Sequence, residues 1–100
     1  MKISDTLFAN RINEVGKITD LTSDFTLRNQ EAFSLYIHPK KDTDDIIIPV
    51  KVRPLRNEDY LDCPFTLDDW NSISVVSIKA NAIDLTNYDV WWGAGDTIKD

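Results

Sequence analysis

One hundred residues are enough for one small domain with a single core. A hydrophobic content of 42% is too high for a disordered chain, and no apolar run approaches the roughly 20 residues of a membrane-spanning helix. The net charge of −6 is uneven: residues 1–56 hold nine basic and eight acidic side chains and residues 57–100 two and nine, which opposes a nucleic-acid backbone as partner.

In chain order, residues 1–24 are polar, with apolar residues at Leu7, Phe8, Ile12, Val15 and Ile18 among Asn, Thr, Asp and Gly. That mixture resists regular structure, so the segment is expected to be an arm, part short helix and part extended. Those five residues are its candidate attachment points to a partner. Met1–Asp5 has no apolar stretch of signal-peptide length. The expectation is a protein made in a cytoplasm that leaves, if it leaves, by a route needing no signal. A virus particle is one such route.

The β pattern begins at Phe25. Residues 32–38 alternate, with Phe33, Leu35 and Ile37 on one face and Ser34, Tyr36 and His38 on the other. Residues 40–45 have the length of a hairpin loop. Ile46–Leu55 reads as the return strand. It is β-branched, and Pro49 marks it as an edge strand or a bulge, because proline cannot donate to a ladder. An edge offers unpaired backbone to a neighbour. Ile48, Pro49, Lys51 and Arg53 are therefore candidate interface residues.

Tyr60–Phe65 is short and extended. Thr66 to Asn71 resembles a capped single turn, with Thr66 as N-cap and Trp70 as a lid over the core. Ser72–Ala80 alternates as a further strand, and Tyr88–Trp92 is the last, stopped by Gly93-Ala94-Gly95. The alternation sends Trp92 to the side of Val90 and Trp91 to the opposite side. An outward Trp91 marks a subunit contact more often than a sugar site. The expected core is Phe33, Leu35, Ile37, Val50, Val52, Ile73, Val75 and Val90, with Trp92 at its rim. Together these elements predict an all-β chain: an arm at 1–24, a small antiparallel β-sandwich, jelly-roll-like, at 25–95, and a polar tail at 96–100.

Chemistry-bearing motifs are thin. Asp42, Asp44 and Asp45 fail the calcium-loop pattern, because Ile47 and Arg53 stand where it needs glycine and glutamate. Five acids between Glu58 and Asp69 read as a solvated corner. Cys63 is the single cysteine, and no base is tied to it; His38 is a polar strand end. No catalytic, cofactor or metal residues are expected.

The stretches Ile-Pro-Val-Lys-Val-Arg-Pro-Leu (48–55), Glu-Asp-Tyr-Leu-Asp-Cys-Pro-Phe (58–65) and Ile-Lys-Ala-Asn-Ala-Ile-Asp-Leu-Thr-Asn-Tyr-Asp-Val-Trp-Trp-Gly (78–93), in that order, resemble small virion proteins of tailed, crAss-like phages. The resemblance covers residues 25–95. It implies a non-enzymatic head fiber or capsid decoration component on the phage head surface, without a cofactor. The implied partners are a second copy, as dimer or trimer, and a capsid protein or second head fiber protein, with neither nucleic acid nor membrane. A carbohydrate-binding β-sandwich module is the alternative.

Overall fold

The computed structural model describes residues 14–28, 31–55 and 58–95. Six strands form: β1 (Glu14–Ile18), β2 (Ser34–Pro39), β3 (Ile47–Arg53), β4 (Leu61–Thr66), β5 (Ser77–Ile78) and β6 (Tyr88–Ala94). They build two antiparallel sheets of three strands, sheet I in the order β1-β6-β2 and sheet II in the order β4-β3-β5. The sheets pack as a small sandwich, as the spacing of strands and turns predicts.

Alternation decides what each sheet buries. On sheet I the inward residues are Leu35 and Ile37 of β2, Val90 and Ala94 of β6 and Ile18 of β1, all buried, with Trp92 packed half-buried beside them. Sheet II answers with Val50, Val52, Phe65 and Ile78. Phe33 and Val75 join the sheets, exchanging both backbone hydrogen bonds at 2.9 Å. Seven of the nine expected core residues are buried, and Ile73 and Trp92 pack against them half-exposed.

Five expectations change. First, β2 and β3 do not form a hairpin: the 40–45 connection carries the chain from one sheet to the other. Second, β3 is the central strand of sheet II, not an edge. Lys51 and Arg53 turn their carbonyls toward the β5 side, accepting from the N–H groups of Lys79 and Val76. Pro49, two residues back, therefore points its missing donor the same way, where the two-residue β5 does not reach. Toward β4, Pro49 faces Pro64 in a position where neither residue needs to donate. Pro64 thus turns its donor-less nitrogen outward, along the free side of β4.

Third, the segment assigned to the arm enters the sandwich. Residues 14–18 pair with β6, and Ile18 and Leu21 are core residues, each 3% exposed. Gly16 makes this possible. The Trp92 indole crosses it so closely that a Cβ there would stand 2.5 Å from the indole nitrogen. Fourth, residues 72–80 are not one alternating strand. Val75, Val76, Ser77 and Ile78 are all buried, because the segment runs against both Phe33 and Arg53 before β5 begins. The expected helical turn at Thr66 is also replaced. Asn71 organises this corner, accepting from the Thr66 N–H and donating to the carbonyls of Leu35 and Thr66, while Asp68 takes a left-handed φ of 61°.

Candidate functional site

The outer face of sheet I carries the aromatic side chains. Trp91 of β6 stands opposite Lys17 of β1 and Tyr36 of β2 in the strand register. Tyr36 packs edge-to-face on Trp91 (5.8 Å, 73°) and on Trp70 (5.5 Å, 63°), and the Lys17 ammonium lies 5.4 Å from the Trp91 ring. Trp70 reaches the strip through its bridge to Tyr36, and is 37% exposed rather than a lid over the core. Asp89 pairs with Lys17 at 3.1 Å and Lys40 at 3.8 Å. The hydrogen bond from Lys17, followed by the charges of Lys17, Lys40 and His38, holds the Asp89 carboxyl below its ordinary range. His38 meets Asp68 at the end of β2.

The outer face of sheet II has a different character. Ile47 and Pro49 are exposed at one end of β3. Lys51 pairs with Asp62 at 3.7 Å in the middle. At the far end Tyr60 hydrogen-bonds through its hydroxyl to the buried Ser77 (2.6 Å) and to Asp24 (3.0 Å), and the Ala80 N–H donates to the other Asp24 oxygen. The Ala80 hydrogen bond, then that from Tyr60, lowers the Asp24 pKa. Arg53 and Lys79 lie 5.3 and 5.0 Å from the Tyr60 ring.

The expected interface residues therefore do not share a surface. Pro49, Lys51 and Arg53 lie on the outer face of sheet II and Trp91 on that of sheet I, with the core between them. Ile48 turns inward and packs partly buried against that core. Among the expected attachment residues, Ile18 is buried in the core, while Val15 is 57% exposed on β1. Leu7, Phe8 and Ile12 lie outside the described residues.

Tyr36, Trp70, Tyr60 and Lys79 were not among the expected site residues. The alternation of β2 already turns Tyr36 outward, but nothing local ties Trp70 to it or Tyr60 to Lys79. A groove of about 390 Å³ runs between residues 19–22 and 81–86. Its carboxylates, Asp20 and Asp84, bind the backbone and side chains of their own turns. Among the described residues no group of three or more His, Cys, Asp or Glu could hold a metal ion. Searches of family models, curated proteins and solved structures returned no match to this chain.

Proposed function

We propose that this chain is a non-enzymatic structural protein of a tailed-phage head, a head fiber or decoration component, that self-associates through the outer face of sheet I. The observation that carries the contact is the Tyr36–Trp70–Trp91 strip. Aromatic rings left half-exposed beside one another on a flat sheet are the composition of protein interfaces. Only the Trp91 end of the strip lies next to β1, which pairs only with β6 among the described residues; the strip runs from there across β2 to Trp70. The phage assignment rests on the sequence resemblance and the contact on the strip. Capsid protein or a second fiber protein would then be met by surfaces left free in the oligomer.

Light scattering on the wild type at micromolar concentration tests the reading. An oligomer that Trp91→Ala dissociates, with the β circular dichroism retained, is the expected result. A wild-type monomer rules out intrinsic self-association. The carbohydrate alternative draws on the same three rings. Their edge-to-face angles of 63° and 73° leave them crossed rather than coplanar, which is a poor platform for a sugar face. A tryptophan emission shift on adding glycans would favour it nonetheless.

A further inference from the structure

We infer that Arg53, Tyr60 and Lys79 form a docking site for acidic side chains of a protein partner, at the end of sheet II opposite the aromatic strip. The inference stands on different residues from the proposed self-association and does not depend on it.

Among the described residues neither Arg53 nor Lys79 makes a close ion pair, although the charges of both act on Asp24 and help to lower its pKa. Both cations bracket one ring, so two like charges are held near each other. The Asp24 carboxylate that both cations act on is already hydrogen-bonded: one oxygen accepts from the Ala80 N–H and the other from the Tyr60 hydroxyl. The Tyr60 hydroxyl is in turn held by Ser77, which fixes the ring against which the cations lie. The Arg53 Nε is buried without a hydrogen-bond partner.

Three features select the occupant. Leu55 and Leu61, adjacent along the chain to this cluster, are 61% and 41% exposed, so the surroundings offer apolar contact as well as charge. Arginine and tyrosine with neighbouring apolar side chains form the usual centre of a protein interface. The site is only two cations wide in a chain of net charge −6, with Asp24 and Asp62 close by. A polyanion would be repelled along most of its length, whereas one or two carboxylates on an otherwise apolar segment would not.

Fluorescence anisotropy with a labelled decapeptide of alternating glutamate and leucine tests this at low ionic strength. The peptide should bind, and its glutamine counterpart should not. Arg53→Gln and Lys79→Gln should each weaken binding about tenfold or more, as expected for loss of a charge-assisted contact. Lys41→Gln, on the loop at the other end of β3, should leave it unchanged. The Arg53 Nε–H resonance of the wild-type protein supplies a readout independent of any variant, and should shift on titration with the glutamate peptide. Four results would overturn the inference: no peptide binding, binding indifferent to both substitutions, an equal Arg53 shift with acetate or phosphate alone, or tighter binding of a single-stranded oligonucleotide. Self-association abolished by Lys79→Gln would assign the site to a second copy and equally displace a separate partner.

Discussion

The two outer faces of the sandwich solve the same problem differently. On sheet I the charges close on each other: Lys17 and Lys40 share Asp89, and His38 meets Asp68. What that face leaves exposed is ring surface. On sheet II Lys51 and Asp62 pair, but Arg53 and Lys79 lie over one aromatic ring and act on Asp24 without a close ion pair. One face offers apolar area, which drives association without direction. The other offers cations outside any close ion pair, and such charge selects partners and steers encounter more than it adds affinity. Opposite sides of one small core can thus serve two kinds of contact without competing.

The comparison can be broken most severely at the joint. Phe33 is 1% exposed and is tied by backbone to Val75 between the sheets. Phe33→Ala should cost about 3–5 kcal/mol in denaturant melts and loosen both faces together. If only one face responded, the sheets would not share a core. Milder substitutions separate them. Gly16→Ala forces Trp92 from its seat on sheet I, at a cost of about 1–3 kcal/mol with a change in tryptophan emission. Val52→Ala, on the sheet II side, should also cost about 1–3 kcal/mol but leave that emission in place.

Acid sharpens the contrast. Asp24 and Asp89 both have folded pKa values lowered from 3.8, so each contributes stability that is present above that value and is lost as pH falls through the folded pKa. Melts run from neutral pH to below pH 3.8 should show stability falling at the acid end, and less steeply in Asp24→Asn or Asp89→Asn. Added salt should erase more of the Asp89 effect, which comes first from its partner Lys17, than of the Asp24 effect, which comes first from the Ala80 amide. Equal salt sensitivity would mean that the two faces are not electrostatically distinct. The smallest effect on the monomer is expected at Trp91. Its replacement by alanine should cost about 1 kcal/mol or less, since the half-buried ring packs on the outer face against Tyr36 and Lys17, while association falls.

Local patterning was enough to show the sandwich and most of its core, because alternation in residues 33–37, 50–52 and 88–92 is a property of each strand alone. It was also enough to separate Trp91 from Trp92. Strand partners are another matter. Pro49 implies an edge only if both flanks of its strand are paired along their whole length, and β5 is too short for that. Residues 14–21 looked like an arm because Asn, Thr and Gly dilute the pattern; Gly16 is there to admit Trp92, from the other end of the sequence. The Arg53–Tyr60–Lys79 cluster gathers three separate segments, and no window of sequence contains it.

Strand edges can be counted as valences. The free side of β2 is occupied by residues 67–75, and that of β5 by Phe25. β4 turns the nitrogen of Pro64 outward and cannot offer a full row of donors. Among the described residues this leaves β1 as the edge without a proline to blunt it. A monomer with two reactive ends propagates into a fibre; one with a single reactive end stops at a pair. Pro64 on the edge strand of sheet II, and Pro49 where β5 stops short, therefore act as chain terminators that hinder edge-to-edge growth through sheet II.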